Sequence, residues 1–330
     1  MEFAHLVHPV NFKAILNGCI RKRRGLLVAL VLSALVPGGA SAQGDGPGAQ
    51  RMIPVGPWVV VPTYIDISSN QNFQQSILIN DADIKADIYG VSMLHAFEWS
   101  GRYAQIWITP LFGGVSGDIE GIDPGTGETR RIGARKTGWG DPVISFKLGM
   151  IGMPPKTLTE FGREPEQFQL GLFVSATPTL GDYDSEDLLN IGAGRWSMKL
   201  GLPMLVPLGS DQKLFWEVHP GITFYQDNDD PTGEARRREQ DPLFKVENHL
   251  VYEFSRKFWG SLDLAYQKGG QTTTDDTADD NEKDHWGGGV SLGYSVHPAA
   301  SIQASYGRIL KERDDATGEM IRLKVALLFP

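Results

Sequence analysis

Between Trp286 and Phe329 apolar side chains recur at nearly every second position, with polar residues or glycine between them. Successive side chains of a strand point to opposite faces, so this period of two gives each strand one greasy and one wet side. Trp286, Gly288, Val290, Leu292, Tyr294 and Val296 share one parity; Gly287, Gly289, Ser291, Gly293, Ser295 and His297 share the other. The closing run sets Ile321, Leu323, Val325, Leu327 and Phe329 against Arg322, Lys324, Ala326 and Leu328. A cation on the lipid face at the bilayer midplane costs roughly 2–4 kcal/mol, so Arg322 and Lys324 are expected on the opposite side from Ile321 and Leu323. The pattern predicts an all-β chain that closes into an antiparallel transmembrane β-barrel.

Twelve such runs are expected, at 58–66, 88–99, 103–114, 138–151, 167–180, 189–207, 213–226, 242–255, 258–270, 285–297, 301–311 and 319–329. Long and short connections mostly alternate, as in outer-membrane barrels with short periplasmic turns and long outer loops. The expected outer loops are 67–87, 115–137, 181–188, 227–241, 271–284 and 312–318. The expected inner turns are 100–102, 152–166, 208–212, Arg256-Lys257 and 298–300. Tyr252, Phe254, Phe258 and Phe329 would form an inner aromatic girdle, and Tyr266, Trp286 and Tyr306 an outer one. A soluble sandwich has the same parity but must cover its edges, whereas a closed barrel has none.

The amino terminus changes the picture. Arg21, Lys22, Arg23 and Arg24 precede an apolar run from Gly25 to Val36, followed by Ala40-Ser41-Ala42. A basic region, a short apolar core and a small-residue site make a secretory signal, so residues 1–42 are expected to be cleaved off. The apolar run is well short of the ~20 residues of a spanning helix. The single cysteine, Cys19, lies in the part removed, so no thiol chemistry is expected. The remainder has 26 basic and 39 acidic residues, a formal net charge of −13, which disfavours nucleic acid as a partner. Residues 43–57, rich in Gly and Pro, are expected to be a flexible periplasmic lead to a barrel over 58–330.

Certain residues carry a further resemblance. Gly138-Trp139-Gly140-Asp141-Pro142 opens a strand, and Leu170-Gly171-Leu172-Phe173 runs to Pro178-Thr179-Leu180-Gly181-Asp182-Tyr183 and then Leu189-Asn190-Ile191-Gly192. Over roughly 55–330 the chain resembles the outer-membrane transporter family named after the meta-pathway of phenol degradation. The resemblance implies passage of small, often aromatic or hydrophobic molecules across the outer membrane.

If the apolar parity faces lipid, the lumen receives Glu217, His219, Lys245, Glu247, His249, Glu253 and Asp263, with Arg195 and Lys199 from the sixth strand and Arg322 and Lys324 from the last. Mixed charges there either pair across the lumen or form a polar track that selects permeants. Phe173, Phe215 and Tyr225 could add stacking surfaces or simply fill space. His219 and His249 stand at i, i+2 from Glu217 and Glu247, but three convergent ligands are not visible in sequence, so no metal or cofactor is expected. The acidic runs Asp227–Asp230 and Asp275–Asp284 read as solvated outer loops.

No nucleophile elbow, HExxH, phosphate loop or cysteine pair is present, so no enzyme is expected. The expected partners are outer-membrane lipid, lipopolysaccharide and a small-molecule permeant, with passive uptake as the function. The alternatives are a structural or adhesive barrel, or an outer-membrane hydrolase built on His95, His285 or His297 at a rim.

Overall fold

The computed structural model describes residues 45–70, 83–122, 129–161, 165–187, 189–311 and 317–329. The expected signal segment 1–42 and parts of three expected outer loops, 71–82, 123–128 and 312–316, lie outside the described residues. The described elements are strands: β1 Trp58–Ser69, β2 Asp83–Trp99, β3 Arg102–Ile122, β4 Thr129–Ile151, β5 Gln169–Thr177, β6 Ser197–Gly201, β7 Met204–Leu208, β8 Leu214–Tyr225, β9 Arg238–Gln240, β10 Leu243–Glu253, β11 Phe258–Gly269, β12 Thr272–Thr274, β13 Thr277–Ala278, β14 Lys283–His297, β15 Ala300–Lys311 and β16 Gly318–Phe329.

Neighbouring wall strands pair antiparallel, β8 continues to β10, and β1 pairs with β16 from Trp58↔Phe329 to Ser69↔Gly318, which closes the cylinder. β6 and β7 are one interrupted stave, so the barrel has twelve. The interruption has a local cause. Pro203 in the gap and Pro220 on the facing strand both lack the N–H that a ladder needs. Register runs on through the gap, from Gly201↔Gly221 to Met204↔Val218.

Parity holds across the lipid face. Leu262, Val290, Tyr306 and Ile321 are successive cross-strand partners on it, and Leu292 and Leu323 are about half exposed to the outside. Arg322 is buried inside, and Lys324 donates to the Asp45 carbonyl within the lumen. Rings gather near the barrel ends: Tyr252 meets Phe254 edge to face, Phe254 stacks on Phe258, and Tyr266 lies 4.7 Å from Trp286.

Four of the five connections at the end that carries Trp58 and Phe329 are short, and the one between β4 and β5 runs from Ile151 to Gln169. The tightest is Ser100-Gly101, both with positive φ, 52° and 77°, the pair of left-handed residues that a two-residue hairpin requires. The long connections lie at the far end, where β9, β12 and β13 form a small separate sheet. Two expectations are corrected there. The fifth connection is not the short 181–188 but runs from Thr177 to Ser197, and the expected sixth strand over 189–207 begins only at Ser197.

A third correction concerns the expected flexible lead, residues 43–57. From Asp45 onward it is folded back into the barrel, with its backbone bonded to interior side chains, because buried charges on the wall need partners that water cannot supply there.

Replacing outward Leu323 with Arg is expected to destabilise the barrel by roughly 2–4 kcal/mol, whereas inward Lys324 is already accommodated. Reversible urea unfolding in phospholipid vesicles would measure the difference; an unchanged midpoint for Leu323→Arg would place that face away from lipid.

Candidate permeation pathway

Gly46 and Gly48, at φ +80° and +77°, turn the N-terminal segment tightly inside the lumen. A Cβ at Gly46 would lie 1.9 Å from an Arg322 guanidinium nitrogen, so the end of that side chain would have to move aside, and the positive φ itself disfavours an L side chain there. The segment is held on all sides. Gly48 N donates to Glu217 Oε2 at 2.8 Å, and Arg51 bonds Glu217 Oε1 at 2.7 Å and Glu253 Oε1 at 3.2 Å. Lys147 Nζ donates to the Gln50 and Arg51 carbonyls at 2.9 and 3.1 Å, and Lys324 Nζ to the Asp45 carbonyl at 2.8 Å. Lys199 lies 3.3 Å from the Asp45 carboxylate. Nearer the terminal rim Ile53 N donates to the Tyr103 hydroxyl, and Met52, Ile53 and Val55 pack on Ala96, Tyr103 and Met153.

The candidate lumen residues therefore divide between the segment and one another. Lys199, Glu217, Glu253 and Lys324 hold the segment directly, and Arg322 lies against its Gly46 turn. Lys245 pairs with Glu247 Oε1 at 3.4 Å. His249 Nδ1 meets Asp263 Oδ1 at 2.8 Å, while its Nε2 is 3.6 Å from Glu247 Oε2. His219 Nε2 lies 4.0 Å from Glu217 Oε2, and its ring centre is 5.5 Å from that of His249. Arg195 stands apart: it lies in the long connection rather than on a strand, bonds Gln240, and has its guanidinium 5.1 Å from the centre of the Tyr225 ring.

The interior aromatic rings also have cationic partners. Arg51 lies over Phe215 at 4.9 Å and Lys199 over Phe173 at 5.5 Å, distances at which a cation gains from the ring face. Of the rim histidines, His95 stacks on Trp58 at 4.7 Å, His285 is buried, and His297 Nδ1 accepts from Ala299 N.

The interior of β1 to β5 carries most of the lumen's large apolar side chains, interspersed with Gln105, Ser145, Lys147 and Ser175. A cavity of about 510 Å³ runs beside the N-terminal segment, with Val59, Leu94, Trp107 and Leu111 on one side and Lys199 and Lys324 among its polar lining. A second cavity, of about 300 Å³, lies toward the far end, and Leu111 and Val143 border both. Over its mouth the long connection folds inward, with Leu189 packed on Ile84, Ala86 and Val115.

One bulge anchors that connection. Thr109 pairs with Val143 and Leu111 with Gly140, so β4 has one residue more than β3 at Asp141-Pro142. The extra residue reverses parity: Trp139 and Ile144 both face outward. It also turns the Asp141 carboxylate inward, where it accepts from Leu180 N, Gly181 N and Ala193 N at 3.0, 2.8 and 2.6 Å. Asp182 in turn accepts from Trp139 N, and Asn190 bridges Asp184 and Asp187. A Cβ on Gly181 would lie 2.6 Å from the Gly140 backbone, so the connection crosses β4 where neither chain bears a side chain.

These motifs coincide with a family match. The family described as "Putative MetA-pathway of phenol degradation" matches residues 69–324. The chain belongs to that family. Among solved structures, this MetA-pathway family member is similar to the COG4313 outer membrane channel from Pseudomonas putida F1, with TM-score 0.69 and 21% identity over 86% of this chain and 99% of that one. The β domain of the Bordetella autotransporter BrkA matches at TM-score 0.48 and 10% identity, covering 83% of this chain and 99% of that one. A Pseudomonas aeruginosa FadL homologue matches at TM-score 0.40 and 12% identity, covering 82% and 89%. No curated protein matches in sequence. The likeness to the first structure establishes the fold, that of an outer-membrane β-barrel.

Sequence reasoning missed Lys147, Tyr103 and Gln105, all fully buried in the lumen. Lys147 was visible in principle, since it has the parity opposite to Phe146 and Leu148. Glu217→Ala should release the N-terminal segment, because it removes charge-assisted bonds from Gly48 N and Arg51 worth about 1.5–3 kcal/mol each. Trypsin cleavage after Arg51 of the folded protein should then accelerate by roughly tenfold or more. Equal rates in the two proteins would mean that the segment is held elsewhere.

Proposed function

We propose that this chain is a passive outer-membrane channel for small apolar or aromatic molecules, exported through a cleaved signal peptide in a Gram-negative cell. The observation that carries this reading is the two-sided lumen. The N-terminal segment pairs the charged residues, and the free space beside it is apolar along Val59, Leu94, Trp107, Leu111 and Val143 and edged on its other side by Lys199, Arg322 and Lys324. A ring that buries roughly 100 Å² there gains about 2.5 kcal/mol at about 25 cal/mol per Å². That is enough to favour entry and small enough to permit release, the balance that conduction needs. Family membership and the likeness to a channel of the same fold support the reading.

In this reading the terminal end faces the periplasm, in keeping with its short turns, and the long connections meet lipopolysaccharide outside. Permeants enter past the inward-folded connection, follow the apolar wall beside the N-terminal segment, and leave without energy coupling. The protein is not an enzyme.

Liposome swelling with purified protein, offered sugars, amino acids and aromatic acids in turn, tests this. Aromatic acids should permeate faster than sugars of similar size, and Val143→Asp, at the border of the two cavities, should slow the aromatic acids several-fold. Failure of every aromatic solute to permeate would leave a structural or adhesive barrel as the better reading.

A further inference from the structure

We propose that His219, Glu247 and His249 form a binding site for a divalent transition-metal cation of the zinc type on the inner wall of the barrel. Each residue offers one ligand atom, and the three atoms lie within 4.8 Å of one another. They come from adjacent strands, β8 and β10, with His219 and Glu247 directly paired across the ladder and His249 two residues further on the same face. Two imidazoles and a carboxylate are a donor set that suits zinc, and a site of three protein ligands leaves a fourth coordination position for water or another donor.

Two further observations point to a ligand. His219 and His249 are more than nine-tenths buried; Nδ1 of His219 has no hydrogen-bond partner, and Nε2 of His249 has only Glu247 Oε2, beyond hydrogen-bond distance at 3.6 Å. An unsatisfied ring nitrogen in such a place costs free energy, and a cation would recover it. The supporting shell is also present. His249 Nδ1 is 2.8 Å from Asp263 Oδ1, the arrangement that turns the other ring nitrogen toward a metal, and Asp263 is fixed by Ser261 and Ser291 hydroxyls at 2.8 Å each. Lys245 holds Glu247 Oε1 and leaves Oε2, 3.6 Å from His249 Nε2. The other claimant on Oε2 is Gly46 N, at 3.4 Å, a long contact beside a metal–oxygen bond of about 2 Å. The donors need close by only roughly 1 Å to reach tetrahedral spacing.

Untagged full-length protein in detergent, stripped with chelator and dialysed, should bind ZnCl2 with one-to-one stoichiometry by calorimetry and give no heat with MgCl2. His219→Ala and His249→Ala should each weaken zinc binding by roughly tenfold or more, and Asp263→Asn, which touches no metal, by roughly 10–100-fold. His297→Ala, at the exposed turn, should leave it unchanged. If a variant does not fold, Co2+ added to the unaltered protein provides a second measurement: an intense visible band of a tetrahedral site is expected. Absence of zinc binding, binding unaffected by the His219 and His249 changes, or only the weak spectrum of hydrated Co2+ would overturn the proposal.

Discussion

A bilayer offers no water to satisfy backbone N–H and C=O groups, so a chain that crosses it with strands must close its ladder on itself. Closure then dictates nearly everything else in this molecule. Each strand has one face toward lipid and one toward an interior shared by twelve staves, and a one-residue slip would exchange them. The β1–β16 seam, paired without a register shift beside Leu323 on the outside and Lys324 on the inside, is where that requirement is met last along the chain. Where the ladder weakens, Pro203 falls opposite His219 and Pro220 opposite Leu202, and register is kept by the pairs on both sides.

The interior poses the opposite problem. A ring of twelve staves is too wide for its own side chains to fill, and the charges that parity sends inward are expensive unless paired. The wall solves part of this by itself, through Lys245 with Glu247 and His249 with Asp263. For the rest it uses the N-terminal segment. Glu217 accepts from Gly48 and Arg51, and Lys147 and Lys324 donate to carbonyls of Gln50, Arg51 and Asp45. Backbone amides and carbonyls thus neutralise charges of both signs, which a second apolar strand could not do.

Strand number, closure and the inward sense of Arg322 and Lys324 were legible because lipid exposure enforces a period of two that any reader of the sequence can count. The N-terminal segment was not legible. Gly46, Gly48 and Gln50 show no periodicity, and their partners Glu217 and Glu247 lie 169 and 201 residues away, so the composition of a linker and that of a plug coincide. Arg195 was assigned to a strand because the bonds that hold its stretch in a connection are made by Asp141, 52 residues before Ala193. The glycines of the Gly138–Pro142 motif were visible as close-packing signals, but the bulge that turns Asp141 inward depends on a one-residue mismatch with β3 that sequence does not display. His219 and His249 could be seen on one face; their convergence with Glu247 needed the pairing of β8 with β10.

The space left open in the lumen and the placement of its charges are consequences of one another. Had the lumen been polar all round, a segment of thirteen residues from Asp45 to Pro57 would have left water-filled gaps on every side, and a porin-like path for hydrophilic solutes would follow. Instead most of the charged groups lie on β6 to β16, with Lys147 on β4, the segment is bonded to both sets, and what remains open lies beside it, against Val59, Leu94 and Leu111 on one side and Lys199, Arg322 and Lys324 on the other. Displacing the segment would therefore not simply widen the pore. It would expose Glu217, Lys147 and Lys324 together and let water reach charges that the segment now pairs.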